Sequence, residues 1–590
     1  MPADEAVGSV LAFGAMSGSA PPGRAAVELR FGTSGLRGLV RDMTDLEIYV
    51  NTRGFLDYLR GAGELGPGEP VALGEDLREV DPSSGLESSP RIARAVARAV
   101  SDANLRPVHC GQLPTPALAA WATAAGEGRG GRRPMPCIMV TGSHIPADRN
   151  GVKFYRKTGE VLKSDEAGIL AAVKTVRQRM APRSTERASF GPDGMLSERA
   201  APCPIEPGAM QAYRERYLAP FAGATPLAGM SIVVYQHSAV GRDLLVEIIE
   251  GLGARAVPVE RSTRFVPVDT EDVSSADEEK FQTFAARYEP DAIISTDGDS
   301  DRPLCVDETG RFHRGDVLGI VTAEWLGARH AAVPISTTDA LDLRLAARAS
   351  VAGVEPMVVE KTLIGSPYVI AAMQRAVARG TTRVVAWEAN GGFLTATDFP
   401  FGSGILPALP TRDAVLPLLA ALLAARGRGL RLSQLFAELP ARATRAGLLD
   451  EFPTEASRAI VAHLSPRDTG IVELRFDGPH VVLVRRGEER PVPLDSAEPA
   501  AVEADGLRAT LQRFFTAEQG FGQLERVNYL DGVRAFFAGG DIAHLRPSGN
   551  APQLRLYAVS GSQRRADEIV ELAIGEPNGL LRRMARELAG

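Results

Sequence analysis

Short apolar runs that each end in a polar loop recur along this 590-residue chain, and that repetition limits its fold more than any other feature. Cys137-Ile138-Met139-Val140 opens onto Thr141-Gly142-Ser143-His144, Asp291-Ala292-Ile293-Ile294-Ser295 onto an acidic loop, and Arg383-Val384-Val385-Ala386-Trp387 onto Glu388-Ala389-Asn390-Gly391-Gly392. Runs of this length and type read as buried strands. Helical patterns lie between them: Ile92, Val96 and Val100 form one stripe within residues 90 to 104, and Leu244, Leu245, Ile248, Ile249 and Leu252 follow Ser231-Ile232-Val233-Val234-Tyr235. Strand and helix in alternation pack as α/β layers. In open α/β sheets ligands bind at the carboxyl ends of the strands, the edge on which these polar loops fall.

The chain is too long for one core. Residues 1 to 27, rich in Gly, Ala, Ser and Pro, read as a flexible N-terminal tail. A fresh unit opens at Ser231, and from about 440 the pattern changes to that of a separate α+β domain. There the strand-like runs Ile471 to Phe476 and His480 to Val484 precede helices near 497 to 518 and 562 to 588. Residues 180 to 208, punctuated by prolines, read as a long excursion before a helix near 209 to 220, and residues 410 to 426 as one strongly apolar helix.

With 66 basic and 73 acidic residues the net charge is −7, which gives no support to a nucleic-acid or membrane surface. No apolar run approaches the roughly 20 residues that span a bilayer, and the N-terminus lacks the basic start of a secretory signal. Cysteines 110, 137, 203 and 305 form no close pair, so free thiols and a cytoplasmic location are expected.

Three loops carry chemistry. Ser143, His144 and Lys153 place a hydroxyl, an imidazole and an ammonium within eleven residues of one strand end. Asp297-Gly298-Asp299-Ser300-Asp301-Arg302 sets three carboxylates at alternate positions, a spacing that lets a tight loop turn all three onto one hard divalent cation. An EF-hand is excluded: Arg302 stands at its sixth position where the turn needs glycine, Pro303 follows, and a strand rather than a helix precedes. A cation with so few protein ligands fills its shell with water or phosphate oxygens, the habit of Mg²⁺. Phe31-Gly32-Thr33-Ser34-Gly35-Leu36-Arg37-Gly38 adds a glycine-rich turn whose arginine can offer a planar fork to a phosphate.

Taken together and in this order, these segments resemble the α-D-phosphohexomutase family, with Lys361-Thr362-Leu363-Ile364-Gly365 and Arg546-Pro547-Ser548-Gly549-Asn550 resembling two further loops of it. The resemblance runs from about residue 28 to the C-terminus and implies four domains around a central cleft. It implies their division at 28–225, 226–325, 326–440 and 441–590, three α/β domains with mixed sheets plus a C-terminal α+β domain. It implies a hexose 1-phosphate/6-phosphate mutase, with a phosphoserine at Ser143 and a hexose 1,6-bisphosphate intermediate and activator. Catalytic roles would fall to Ser143, His144, Lys153 and Arg37, and Mg²⁺ to Asp297, Asp299, Asp301 and the Ser143 phosphate. The substrate would be held by Thr33, Ser34, Asn150, Arg302, Thr362, Gly365, Glu388, Asn390, Gly391, Arg546, Ser548, Gly549 and Asn550.

Ile145, Ser300, Asn390 and Asn550-Ala551 depart from the family's usual residues and bear on the choice of sugar. Overall likeness favours mannose; phosphoglucomutase, phosphoglucosamine mutase and, from another class, sugar-phosphate phosphatase are the alternatives. Monomer or homodimer is expected, with a small-molecule hexose phosphate as substrate and neither nucleic acid nor membrane as partner.

Overall fold

A computed structural model describes residues 28–31, 35–123, 133–180, 187–198, 203–349, 355–547 and 553–588. Residues 1–27, expected as a tail, lie outside them. Among the described residues there are three mixed sheets in α/β units, one large antiparallel sheet and a small hairpin of Phe399–Phe401 with Gly404–Leu406, the fold class the sequence implies. In the first sheet the strands run in the order Arg30–Phe31, Gly35–Leu39, Arg149–Arg156, Cys137–Val140, Pro70–Glu75, Arg106–Gln112, with Gly159–Glu160 paired to Arg149–Arg156. The second orders Phe312–His313, Pro303–Asp307, Ala292–Thr296, Ser231–His237 and Arg255–Arg261. The third orders Val358–Thr362, His330–Pro334, Val384–Trp387, Phe393–Thr395 and Leu409–Asp413. In each, parallel pairs joined by helical crossovers give way to antiparallel pairs toward one edge.

One apolar core links these three sheets. Met139 and Tyr155 from the first, Ile232 and Ile294 from the second, and Val333 and Trp387 from the third belong to a single buried cluster, closed by Leu416, Leu419 and Leu422 of the helix Val415–Arg428. Separating the sheets would return that surface to water, so they behave as one block. The fourth sheet, eight antiparallel strands from Ala443–Leu449 to Leu554–Ser560, has its own core around Phe514, Val527, Ala543, Leu556 and Ile569. Polar links also tie it to the third sheet's unit: Arg442 Nε to Asp339 Oδ1 at 2.7 Å, Arg534 Nη2 to the Thr337 carbonyl at 3.3 Å, and the Ile364 amide to Asp531 Oδ2 at 2.9 Å.

Two helices differ from expectation. The apolar helix placed at 410 to 426 begins at Val415; Leu409–Asp413 is instead the edge strand of the third sheet, a place where Pro410 is tolerated. Asp413 Oδ1 accepts the Val415 amide at 2.9 Å at the start of the helix. The stretch 562 to 588 is two helices, Gln563–Ile574 and Leu580–Leu588, separated where Gly575 and Pro577 interrupt the hydrogen-bond ladder.

Candidate active site

The first and second sheets present their loops to one another. Strand Cys137–Val140 ends at Thr141, and Ser143 follows with φ 56°, the left-handed region that a serine occupies only under constraint. Its hydroxyl is buried and donates to Asp297 Oδ2 in the acidic loop between Ala292–Thr296 and Pro303–Asp307. His144 Nδ1 stands 3.4 Å from Ser143 Oγ. Burial, then the charges of Arg302 and Arg37, push the imidazole down to about 2, so it is neutral. The strand-loop-strand setting upholds the rejection of an EF-hand.

Asp297, Asp299 and Asp301 are fully buried, and one ligand oxygen from each lies within 4.8 Å of the others. The oxygens are divided between two tasks. Lys153 Nζ reaches Asp299 Oδ2 at 2.6 Å and Asp301 Oδ2 at 2.7 Å, and the Thr115 hydroxyl also donates to Asp299 Oδ2. Asp297 Oδ1 accepts the amides of Asp301 and Arg302, each at 3.1 Å. That leaves Asp299 Oδ1 and Asp301 Oδ1, both buried, accepting no hydrogen bond, and Asp297 Oδ2 facing the serine.

Buried acceptors without donors are costly unless a cation serves them. The residues therefore fit a divalent metal, which takes hard carboxylate oxygens such as the three gathered here. The titration behaviour agrees. Burial, reinforced by Asp299 and Asp301, raises Asp297 well above the usual carboxylate range. Burial would raise Asp301 too, but Arg412, Lys153 and Arg302 outweigh it and hold that carboxyl well below. Lys153 keeps its proton because Asp299 and Asp301 overcome its desolvation.

Arg37 sits on strand Gly35–Leu39 opposite Gly151; its side chain is open to the cleft yet flanked by protein, and burial with Arg302 and Arg412 lowers it to about 10. Arg302 lies 3.6 Å from Asp301 Oδ1 with its own Nε unbonded. Arg412, on the strand misread as helix, was missed. Its Nε and Nη2 both reach Asp301 Oδ2 at 3.0 Å, and its Nη1 reaches Glu388 Oε2 at 3.1 Å. Four cations, Lys153, Arg37, Arg302 and Arg412, thus stand beside the four carboxylates Asp297, Asp299, Asp301 and Glu388 on this face of the cleft.

The third sheet contributes Glu388, Asn390 and Gly391 at the end of Val384–Trp387. Asn390 Oδ1 accepts the Gly392 amide at 3.0 Å and its carbonyl accepts the Thr270 hydroxyl at 2.9 Å, so the loop is locked to the second sheet's unit. Gly391 has φ 86°, and a Cβ there would lie 2.8 Å from Gly315 Cα. Thr362 is buried with its hydroxyl on the Leu363 carbonyl at 2.8 Å, and Gly365 caps the helix Ser366–Ala378. Arg546 Nε bonds Asp531 Oδ1 at 3.0 Å. Thr33, Ser34, Ser548, Gly549 and Asn550 lie outside the described residues.

Asn150 is a correction. It is wholly buried, and its amide nitrogen donates to Ser88 Oγ at 2.9 Å and Ser89 Oγ at 3.0 Å, away from the cleft. Strand alternation accounts for it: Asn150 and Lys153 are an odd number of residues apart on Arg149–Arg156 and so face opposite sides.

Between the second and fourth sheets a cleft of about 430 Å³ is bounded by His144, Asp269, Arg314, Arg445, Arg555 and Tyr557, a size typical of small-molecule sites. Arg555, which sequence reasoning also missed, has a buried Nε without a partner. A hydroxyl set against a metal-sized acidic triad, ringed by cations beside such a cleft, defines a site suited to phosphoryl transfer.

Comparison with known proteins agrees. Residues 28–180 match the model of phosphoglucomutase/phosphomannomutase alpha/beta/alpha domain I, and residues 212–310 that of domain II. The chain is 37% identical over 543 residues to a phosphomannomutase of Sinorhizobium fredii, spanning 92% of this chain and 97% of that protein. It is 34% identical over 547 residues to the phosphomannomutase of Salmonella muenchen, spanning 92% and 95%. Among solved structures, a putative phosphomannomutase from Thermus thermophilus shares the fold with a TM-score of 0.60 at 19% identity, over 93% of this chain and 98% of that one. The chain belongs to the phosphoglucomutase/phosphomannomutase family, and it is a phosphohexose mutase. Among the described residues no helix is long and apolar enough to cross a membrane.

Proposed function

We propose that the protein interconverts mannose 1-phosphate and mannose 6-phosphate through a phosphoserine at Ser143 and a mannose 1,6-bisphosphate intermediate that also serves as activator. The observation that carries this reading is the Ser143 hydroxyl facing Asp297 at the head of the buried triad. The sugar follows from the two phosphomannomutases that match nearly the whole chain.

Phosphate esters are so inert that the protein must act by placing groups and balancing charge. In the first step the bond between Ser143 Oγ and phosphorus breaks while one forms to the free hydroxyl of the sugar phosphate. Lys153, protonated between Asp299 and Asp301, and Arg37 carry positive charge toward the transferring group. The acid/base step falls to the group of His144, which stands beside Ser143 Oγ, together with Lys153 and Arg37. Mg²⁺, held by Asp297, Asp299 and Asp301, would add Lewis-acid charge neutralisation at the phosphoryl oxygens.

Glu388, fixed by Arg412, accepts hydrogen bonds from sugar hydroxyls, with Arg302, Asn390, Gly391, Thr362 and Gly365 around the ring. Arg546 and Arg555, with Ser548, Gly549 and Asn550, hold the phosphate that is not reacting. In this reading Thr33 and Ser34 complete the serine side, and the segments 28–225, 226–325, 326–440 and 441–590 supply serine, metal, sugar and phosphate loops in turn. The protein would work in the cytoplasm as a monomer or homodimer.

Incubation with mannose 1-phosphate, Mg²⁺ and a trace of bisphosphate tests it. Mannose 6-phosphate should accumulate, faster than the corresponding products from glucose or glucosamine 1-phosphate. Free phosphate instead would mark a phosphatase, and full turnover by Ser143→Ala would defeat the serine's role.

A further inference from the structure

Beneath the serine loop lies a polar framework that the transfer chemistry leaves unused. Arg78 is 1% exposed, and each of its five N–H groups has a partner. Nη2 donates to the carbonyls of Ser143 at 2.9 Å and Ile145 at 2.8 Å; Nη1 donates to those of Pro146 at 2.8 Å and Arg149 at 3.0 Å. Nε donates to Asp76 Oδ2 at 3.2 Å. Asp76 in turn accepts the Thr141 hydroxyl at 2.7 Å, the Gly142 amide at 3.3 Å and the Ser89 hydroxyl at 2.6 Å. One ion pair therefore takes up polar groups at almost every turn of the loop from Thr141 to Arg149.

The same guanidinium reaches the second sheet's unit. Its carbon lies 3.7 Å from the centroid of the Phe265 ring, a cation–π stack. Phe265 then packs on the acidic loop: a Cβ at Gly298 would lie 2.9 Å from that ring and 2.5 Å from the Ser143 carbonyl oxygen. On the other side a Cβ at Gly142 would meet the guanidinium carbon at 2.7 Å, so only glycine admits the arginine this close.

We infer that Arg78 is a positioning residue for phosphoryl transfer: it sets the Ser143 loop in place and, through Phe265, registers that loop against Asp297 and Asp299. The inference rests on Ser143 being the phosphoryl carrier. Its ground is where the donors are spent. Four of five go to carbonyls of the reactive loop, one of them that of Ser143 itself, whose left-handed backbone needs outside constraint. A planar fork can hold four carbonyls at once; a lysine ammonium, with three donors at one point, cannot.

Arg78→Lys keeps the charge beside Asp76 and removes the fork. Steady-state rates with mannose 1-phosphate should show kcat down about 10²-fold with KM near wild type, the scale expected when a reacting group is displaced by an ångström. The initial rate at which hexose 1,6-bisphosphate phosphorylates Ser143, read by intact mass, should fall with it. An arginine that only supported the fold would lower Tm and leave kcat per folded molecule alone, so wild-type kcat in folded Arg78→Lys overturns the inference. If that variant does not fold, Phe265→Leu decides, with kcat expected to drop about tenfold; wild-type kcat there overturns the inference as well. Ser143→Ala run alongside separates the layers. Retained turnover in it removes the underlying reading, whereas a dead Ser143→Ala beside a fully active Arg78 variant removes only the role of Arg78.

Discussion

Arg412 grips Asp301 through two nitrogens on a single oxygen, Nε and Nη2 each 3.0 Å from Oδ2. Asp301 Oδ1 is thereby left turned toward the space between the three aspartates. The third nitrogen, on Glu388 Oε2, makes the same side chain a brace between the acidic loop and the sugar loop.

Replacing Arg412 with lysine should therefore damage catalysis more than a surface change could, because an ammonium cannot bridge both carboxylates. We expect kcat/KM to fall by about 10- to 100-fold with either sugar phosphate as substrate, equivalent to roughly 1.4–2.7 kcal/mol. Rates in both directions check this, and a variant at full activity would show the brace to be dispensable.

The aspartates already have counter-charges in Lys153, Arg412 and Arg302. Removing metal by chelation should abolish turnover while leaving the fold intact, with Tm lowered only by what mass action from the bound ion supplied. In Lys153→Met, Asp299 and Asp301 lose their shared ammonium, and an unpaired buried charge typically costs about 3–5 kcal/mol. That variant should melt lower without metal and recover more than wild type when Mg²⁺ is added. Thermal unfolding of both proteins with and without Mg²⁺ reads the difference directly.

How much of this was legible depends on the range of the signal. Ser143, Asp297 to Asp301 and Glu388 stand in short polar loops after apolar strands, and strand ends on one sheet edge converge in space. Arg412 was hidden because the apolar run from Val415 to Leu423 extends a helical pattern backward over a strand. Arg78 was invisible for another reason: its partners in the serine loop begin 65 residues away, and no local pattern marks an arginine that will be buried. Asn150 shows the converse error. It was grouped with Lys153 by proximity in a motif, although the two-residue period of the strand puts them on opposite faces.

Acid should act on the C-terminal domain through His544. Burial, with Arg534 nearby, lowers this imidazole from 6.5 to about 3, and its Nε2 stands 2.6 Å from the Asp531 carbonyl. Above pH about 6.5 neither the folded nor the unfolded chain protonates the ring, so its contribution is complete. As pH falls below that value the unfolded chain binds a proton the folded one refuses, and stability drops by up to about 1.4 kcal/mol per pH unit until about pH 3. Urea unfolding at pH 7.5 and 5 should show a smaller loss in His544→Gln than in wild type. An equal loss would mean that other groups carry the acid sensitivity.

Asp531 joins the two halves of the substrate grip. Its Oδ1 accepts Arg546 Nε at 3.0 Å and its Oδ2 accepts the Ile364 amide at 2.9 Å, so the arginine proposed to hold the distal phosphate is tethered to the loop between Thr362 and Gly365. The bond to Ile364 crosses from the fourth sheet's unit to the third, and both contacts are only part-buried. Asp531→Ala should therefore free the Arg546 side chain and loosen closure over the sugar without touching Ser143 or the aspartates. Ordering a long side chain anew on binding costs about 0.5–1.5 kcal/mol, and loss of a charge-assisted bond adds to it. We expect KM for mannose 1-phosphate to rise about tenfold with kcat changed much less, and phosphorylation of Ser143 by bisphosphate at saturation to proceed at the wild-type rate. If kcat fell instead and KM stayed, Asp531 would be acting on the transfer step, and the tether would not be its role.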